Sequence, residues 1–202
     1  ILGCGIPFGV IFLMRMLDTA VHGKADFAES HVPFLAEIPR YVKPGDRFKK
    51  FRCLRFRKDD KSLTKIIVEQ GSRDMMNEAY RVLRTNMDLM IGKKNTSNVT
   101  MFTSFNPNAG KTFSVMNIAA SMALKGAKVL MIDLDLRKAS LSKCLADSKN
   151  GVASYLNGKC ADYHKDILQI TSNLSVLPVG SMPPNPTELL LVPEFASMIA
   201  EL

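Results

Sequence analysis

A short apolar strand that leads directly into two aspartates constrains the fold of this chain more than any other feature. Lys128-Val129-Leu130-Met131-Ile132 is typical of a strand covered on both faces of a parallel sheet, and Asp133-Leu134-Asp135-Leu136-Arg137 follows it. Upstream, Val99-Thr100-Met101-Phe102-Thr103 predicts a strand, and Thr112 to Lys125 predicts a helix that Gly126 ends. Strand, helix and strand in this order form a βαβ unit, so the sequence predicts an α/β fold.

The loop between the first predicted strand and the helix has the composition of a phosphate-binding loop. Asn106-Pro107-Asn108-Ala109-Gly110-Lys111-Thr112 stands where backbone N–H groups and the helix dipole converge on an anion. In the pattern GxxxxGK(S/T), Lys111 reaches the β- and γ-phosphates and the Thr112 hydroxyl ligates Mg²⁺, whereas Phe105 replaces the first glycine. The residues predicted to contact the nucleotide are Asn108, Ala109, Gly110, Lys111, Thr112 and Phe113.

The aspartates after the second strand decide between a nucleotide site and a chance Gly-Lys-Thr turn. Open α/β sheets bind ligands at the carboxyl ends of their strands, and carboxylates there are costly unless a cation or a partner neutralises them. Asp133 and Asp135 point to the same side if the strand continues and diverge if it ends, so that one holds metal and the other is structural. A capping pair that opens the next helix would explain Asp135 and Ser140 but not the whole constellation. The nucleotide interpretation is therefore favoured.

Other stretches predict further elements of the same domain. From Ser72 to Ile91 apolar residues recur at three- or four-residue spacing, which predicts a helix with Ser72 as its N-cap. A strand is predicted over Leu174 to Val179, and helices after the Pro183-Pro184-Asn185-Pro186 turn. We assign residues 72–202 to this domain.

The first residues form an uncharged apolar segment, Ile1 to Met14, whereas a membrane-spanning helix needs about 20 such residues. A buried helix, a signal-peptide core and the end of a transmembrane helix that begins upstream all fit the composition. Arg15 and Lys24 follow the apolar run, which argues against a signal peptide and places the next residues in the cytoplasm. The end of a transmembrane helix, residues 1–17, is the favoured interpretation.

Residues 18–71 are predicted to be a juxtamembrane linker. The net charge of +8 is concentrated in part in a basic run with interleaved phenylalanines, Arg47 to Lys58. Such a run beside a membrane segment binds anionic lipid headgroups; the alternatives are a solvated charge run or nucleic acid, for which no binding motif is present. The cysteines form no CxxC pair and suggest neither a zinc site nor a disulfide framework; they are Cys4, Cys53, Cys144 and Cys160.

These motifs together resemble one family. A hydrophobic strand with DLDLR after a GKT loop is similar to the second Walker motif of the bacterial tyrosine autokinases of capsule and exopolysaccharide synthesis. Glu78 to Asn86 resembles the stretch associated with self-assembly of that family into a ring. Leu177 to Leu190 resembles the segment before its Walker B strand, and Phe34 to Arg40 the linker after its second transmembrane helix.

The resemblance implies a P-loop NTPase fold, a doubly wound parallel sheet with helices on both faces, and ATP-dependent phosphorylation of tyrosine with Mg²⁺. It implies that Lys111 and Thr112 contact the nucleotide, with Thr112, Asp133 and Asp135 as the metal ligands. Asp133 is the expected base or metal-linked carboxylate, and Arg137 supplies supporting charge. The catalytic set is thus Lys111, Asp133, Asp135 and Arg137.

The resemblance also implies partners and a location. We expect a ring-shaped homo-oligomer through Glu78, Arg81 and Arg84, contact with the membrane and with polysaccharide polymerase and export machinery, and a tyrosine phosphatase. The expected location is the cytoplasmic face of a bacterial inner membrane, with no nucleic-acid partner. The family's Walker B aspartate and acceptor tyrosines are expected after Leu202, so this chain alone is expected to be inactive. Four isolated tyrosines are predicted to be structural: Tyr41, Tyr80, Tyr155 and Tyr163.

Two other functions remain open at the level of sequence. One is a non-kinase ATPase of the partition or division-site type, which would use the same motifs as a nucleotide-dependent dimer switch. The other is a chain-length-determining scaffold with a degenerate kinase domain, for which Phe105 in place of glycine is the argument.

Overall fold

Two units make up the chain, residues 1–37 and residues 38–202. The computed structural model describes residues 2–18, 23, 27, 32–41, 66–92, 97–145 and 148–202, with the side chains of residues 2–6 excepted. Most of the predicted linker, including the basic run from Arg47 to Lys58, lies outside the described residues.

The first unit contains helix α1, Leu2–Met16. Its described side chains are exposed, including Phe8, Phe12 and Met16. In the described part of the chain, no helix combines the length and the apolar character needed to cross a membrane. The stretch that resembles the family's linker follows without regular secondary structure, and the rings of Phe27 and Phe34 lie 5.8 Å apart.

The second unit combines helices and strands, and most of the predicted elements are present. The periodic stretch from Ser72, the segment after the phosphate-binding loop, the apolar strand before Asp133 and the strand at Leu174 all form. The elements are α2 (Met75–Ile91), α3 (Lys111–Leu124), β1 (Val129–Ile132), α4 (Ser140–Leu145), α5 (Val152–Leu156), a 3₁₀ helix (Tyr163–Asp166), β2 (Leu168–Thr171), β3 (Leu174–Leu177), α6 (Pro186–Leu189) and α7 (Pro193–Glu201).

The described strands form a sheet in the order β1-β3-β2. β1 and β3 are parallel, with Val129 opposite Leu174 and Ile132 opposite Leu177, as expected. β2 is antiparallel to β3, so the expectation of an all-parallel sheet was wrong for this edge. Ser172 and Asn173 alone connect β2 to β3, and a connection this short can join only antiparallel neighbours.

The strand predicted over Val99 to Thr103 is not formed. In the described sheet β1 pairs with β3 alone, and Val99 and Met101 are 71% and 85% exposed. An extended segment becomes a strand only when a neighbour completes its hydrogen-bond ladder, and its sequence does not specify that neighbour. The prediction of a strand over Val99 to Thr103 was therefore wrong.

Helices cover both faces of the sheet. On one face, β1 and β3 side chains pack on a cluster that includes Val152, Leu177 and Met198, each no more than 1% exposed. Side chains alternate along a strand, so Met131 and Val176 point to the other face, and α3 packs against β1 and β3. Helix α3 therefore lies in the helical layer that covers this face of β1 and β3.

Helix α2 begins later than its sequence predicted. Asp74, rather than Ser72, is the N-cap, and one of its carboxylate oxygens accepts hydrogen bonds of 2.9 Å from the N–H groups of Met76 and Asn77. Ser72 instead donates its hydroxyl to the same carboxylate at 2.7 Å. Both residue types are good caps, and the aspartate can satisfy two amides while it also accepts from Ser72.

Two asparagines attach the segment before α2 to the helices. Asn117 of α3, fully buried, accepts hydrogen bonds from the N–H groups of Ile67 at 2.8 Å and Val68 at 3.2 Å, and donates to the Phe113 carbonyl at 2.9 Å. Asn77 of α2 accepts from the Glu69 N–H at 2.9 Å. We call Asn77 and Asn117 the asparagine clamp.

Replacing Asn117 by Ala is expected to lower the free energy of unfolding by about 2–4 kcal/mol, because two backbone N–H groups lose their acceptor and a small cavity opens. Urea denaturation followed by circular dichroism measures the change. Asn157→Ala is the matched control, because Asn157 is exposed just after α5, and it should change stability by less than about 0.5 kcal/mol. Equal effects of the two substitutions would contradict the role of the clamp.

Candidate nucleotide site

The phosphate-binding loop ends at a helix N-terminus that no side chain caps. Gly110 is the N-cap of α3 with φ +92°, and Asn108 has φ +61°, both in the left-handed region. The first turn of α3 contains no acidic residue, and the first hydrogen bond of the helix runs from the Ser114 N–H to the Gly110 carbonyl at 2.9 Å. The amides of the first turn and the positive end of the helix dipole therefore remain for an anion, which fits a phosphate.

The residues predicted to contact the nucleotide differ in exposure, and therefore in which of their groups can reach a phosphate. Lys111 and Thr112 are half-buried in the first turn, and Asn108 and Ala109 are exposed in the loop. Phe113 is 9% exposed, and its ring lies 6.0 Å from that of Tyr41 and 6.4 Å from that of Tyr80. Its side chain thus belongs to the interior, and only its backbone N–H can serve a phosphate.

Phe105 departs from the loop pattern without straining the loop. Its side chain is fully exposed, and its φ is not in the left-handed region that would require glycine. The Ser104 hydroxyl donates to the Asn106 carbonyl at 3.2 Å and closes the start of the loop. Within this structure, a large residue at this position is compatible with the loop conformation.

Asp133 is buried and held by several donors. It is 4% exposed, its Oδ1 accepts from the Asp135 N–H at 3.1 Å, and its Oδ2 accepts from the Ser142 N–H at 2.8 Å and the Ser142 hydroxyl at 2.7 Å. A carboxylate has about four lone-pair directions, so, counting donors among the described residues, Oδ2 is satisfied and Oδ1 keeps one direction open. These bonds offset the desolvation of a buried carboxylate.

Asp135 and Arg137 are more accessible than Asp133. β1 ends at Ile132, so the two aspartates diverge, as the sequence predicted for a strand that ends there. Asp135 is half-buried and its Oδ1 accepts from the Lys138 N–H at 3.1 Å. Arg137 is exposed and forms no ion pair with another described residue.

The oxygen donors near β1 suit Mg²⁺ better than a metal ion whose ligands all come from the protein. Carboxylate and hydroxyl oxygens are hard ligands, and Mg²⁺ is commonly held by one or two carboxylates together with phosphate oxygens. Within the described residues, no three His, Cys, Asp or Glu side chains converge on one point. Thr112, Asp133 and Asp135 therefore offer oxygen ligands of the kind that suits a Mg²⁺ bound together with a nucleotide.

Comparison with known proteins finds similarity to a nucleotide-binding family and to tyrosine-protein kinases. Residues 100–183 match the CobQ/CobB/MinD/ParA nucleotide binding domain family. A tyrosine-protein kinase of the cps region of Klebsiella pneumoniae is 36% identical over 202 residues, which are 98% of this chain and 27% of that protein. The tyrosine-protein kinase etk of Escherichia coli is 30% identical over 199 residues, 95% of this chain and 27% of that protein. The crystallised kinase domain of Escherichia coli ETK superposes with a TM-score of 0.71 and 28% identity, covering 90% of this chain and 69% of that chain.

The chain is a relative of the bacterial tyrosine-protein kinases over nearly its whole length. It has their P-loop NTPase fold, in agreement with the resemblance and the fold class that the sequence predicted. The chain spans about a quarter of the length of the curated relatives, 27% in the two cases above.

The polar row on α2 of this chain, Glu78, Arg81 and Arg84, makes two different kinds of contact. Arg81 forms an ion pair with Glu78, and both side chains are more than half exposed. Arg84 turns towards α3, where its Nη1 donates to the Ser121 carbonyl at 2.7 Å and to the Ser121 hydroxyl at 3.2 Å. Glu78 and Arg81 thus remain at the surface, whereas Arg84 also joins α2 to the helix of the phosphate-binding loop.

The buried tyrosines of this chain make contacts inside the fold. Tyr163 is 2% exposed, lies 4.9 Å from the Tyr155 ring and donates its hydroxyl to Glu201 at 2.9 Å. Burial, reinforced by Glu201, raises the pKa of Tyr163 to about 12. Burial also raises the pKa of Tyr80, which is fully buried. These contacts agree with the structural role that the sequence predicted for these tyrosines.

Sequence reasoning missed three residues that shape the site. Ser142 was not singled out, although its hydroxyl contacts Asp133. Gly151 and Gly180 approach each other so closely that a Cβ on Gly151 would lie 2.8 Å from the Gly180 nitrogen. The one available signal is Asn150 before Gly151, which indicates a turn but not its contact with Gly180.

Proposed function

We propose that this chain carries the ATP site of a protein-tyrosine autokinase that regulates polymerisation and export of a capsular or extracellular polysaccharide. The observation that carries the proposal is the uncapped N-terminus of α3, with Lys111 and Thr112 in its first turn, in a helix that packs against β1, the strand that Asp133 and Asp135 follow. The kinase names of the relatives support tyrosine as the acceptor.

Each residue has a distinct task in the proposed reaction. The first-turn amides of α3 bind phosphate oxygens, and the Lys111 ammonium neutralises the charge on the β- and γ-phosphates. When bound, ATP with Mg²⁺ supplies the phosphoryl group and part of the charge neutralisation. The Thr112 hydroxyl and the Asp135 carboxylate would hold the metal. Asp133, with one lone-pair direction of Oδ1 open, would accept the proton of the tyrosine hydroxyl as its oxygen bonds the γ-phosphorus; the bond from that phosphorus to the β–γ bridging oxygen breaks and ADP leaves. Arg137 would add positive charge.

The proposal includes assembly and location. Glu78 and Arg81, exposed on α2, would contact a second copy in a ring, with Arg84 behind them at the α3 contact. The exposed apolar α1 and the basic run from Arg47 to Lys58 would associate with the cytoplasmic face of a bacterial inner membrane. The polysaccharide polymerase and export machinery and a tyrosine phosphatase are the proposed protein partners.

Incubation of the protein expressed from its natural gene with γ-labelled ATP tests the function. We expect label on tyrosine, detected as phosphotyrosine, and loss of labelling when EDTA removes Mg²⁺. ATP hydrolysis without phosphotyrosine would contradict the kinase and favour the partition-type ATPase switch. Absence of ATP binding would contradict both and favour the scaffold.

A further inference from the structure

Ser142 connects three elements at the carboxyl end of β1. Its hydroxyl lies 2.7 Å from Asp133 Oδ2, and the Val179 N–H, after β3, donates to the same hydroxyl at 2.9 Å. The Ser142 N–H, near the start of α4, donates to Asp133 Oδ2 at 2.8 Å. All three residues are buried, with Ser142 at 6% exposure.

The direction of the hydroxyl proton follows from these contacts. A serine hydroxyl has one proton to donate and two lone pairs to accept with. Because the Val179 N–H donates to Oγ, and the Asp133 carboxylate can only accept, the Ser142 proton lies on the bond to Asp133. The hydroxyl is therefore held in one orientation rather than free to rotate.

This fixed hydroxyl determines how the Asp133 carboxylate is turned. With two donors on Oδ2 and the Asp135 N–H on Oδ1, rotation of the carboxylate would break at least one bond in a buried site. One lone-pair direction of Oδ1 remains for a reacting group. A small rotation of this carboxylate would displace that lone pair, and such displacements are costly in catalysis.

We infer that Ser142 is a positioning residue that holds the Asp133 carboxylate so that Oδ1 alone faces reacting groups. The inference rests on the proposed function, because Asp133 acts on the acceptor hydroxyl there. Through its hydroxyl, Ser142 also links the Val179 backbone after β3 to the Asp133 carboxylate after β1.

Kinetics of two Ser142 variants test the inference. Ser142→Ala is expected to lower kcat for tyrosine phosphorylation by about 10- to 100-fold and to leave KM for ATP within about 3-fold, because the phosphate-binding loop is unchanged. Ser142→Thr keeps the hydroxyl and is expected to recover most of the rate. A merely structural role would lower the amount of folded protein and would not separate kcat from KM.

Ser181→Ala is the matched control. It removes a serine hydroxyl that bonds the Lys149 carbonyl at 2.9 Å near Val179 but has no bond to Asp133. It should leave kcat unchanged. An equal fall in kcat for both alanine variants, or no recovery with threonine, would overturn the inference.

A crystal structure of Ser142→Ala separates the inference from the proposed function. We expect the Asp133 carboxylate to be rotated relative to its orientation in the wild-type protein. An unchanged carboxylate overturns the positioning role whatever the activity. A rotated carboxylate in a protein whose wild type phosphorylates no tyrosine supports the positioning role and rejects the proposed reaction.

Discussion

Replacing Lys111 by Met is expected to reduce tyrosine phosphorylation from ATP by at least about 100-fold, because a fixed positive charge on the transferred phosphate is lost. Lys111 is half-buried in the first turn of α3, beside the uncapped amides that would hold the same phosphates. Met is similar in length and equally suited to a helix, so the change removes charge and little else. Phosphotyrosine formed by the protein expressed from its natural gene is the measurement.

Lys125→Met is the control for this substitution. Lys125 caps the other end of α3, is 60% exposed and pairs with Asp88 at 2.7 Å, a surface ion pair of about 0.2–1 kcal/mol. Its replacement should leave the rate near that of the wild type. Labelling of Lys111→Met at the wild-type rate would show that the site is assigned to the wrong residues.

Replacing Gly151 by Ala is expected to destabilise the protein by about 3 kcal/mol or more, because a Cβ at this position overlaps fixed backbone. The added carbon would lie 2.1 Å from the Pro178 carbonyl oxygen and 2.8 Å from the Gly180 nitrogen. Neither atom belongs to a flexible side chain, so the loop must move. That movement would break the hydrogen bonds of 2.9 Å from Val152 to Pro178 and from Ala153 to Val179.

Gly158→Ala separates this overlap from the general cost of replacing a glycine. Gly158 has φ +69°, and a Cβ there meets nothing within 4 Å, so its replacement should cost only about 1 kcal/mol of backbone strain. Chemical denaturation of both variants gives the comparison. Equal losses would mean that the Gly151 loop yields easily and that the close approach to Gly180 is unimportant.

Backbone strain appears at another position near the site. Ala139 has φ +48°, in the left-handed region, and is 4% exposed in the core cluster. Its N–H donates to the Asp135 carbonyl at 2.7 Å, so the turn that carries Arg137 and Lys138 closes on itself. This turn lies between Asp133 and Ser142, whose side chains bond to each other.

Local patterns predicted the helices and the strands that lie inside the fold. The apolar run before Asp133 and the periodicity on either side of Tyr80 are properties of consecutive residues, and both elements formed within a few residues of their predicted bounds. Predictions that depend on which strands pair with each other were less successful. Val99 to Thr103 has strand composition without a pairing neighbour in the described sheet, and β2 was not predicted because its apolar alternation, Leu168 and Ile170, spans only four residues.

The sequence by itself determined the chemistry of the site: a glycine that permits φ +92° before a helix, a lysine and a threonine in its first turn, and two aspartates after a buried strand. These features depend on residue type and on spacing along the chain. Only the tertiary structure decided that Asp133 is turned inward, that Ser142 holds it, and that Arg84 bonds to α3. Each of these contacts joins separate elements, and their meeting is decided by how the helices pack on the sheet.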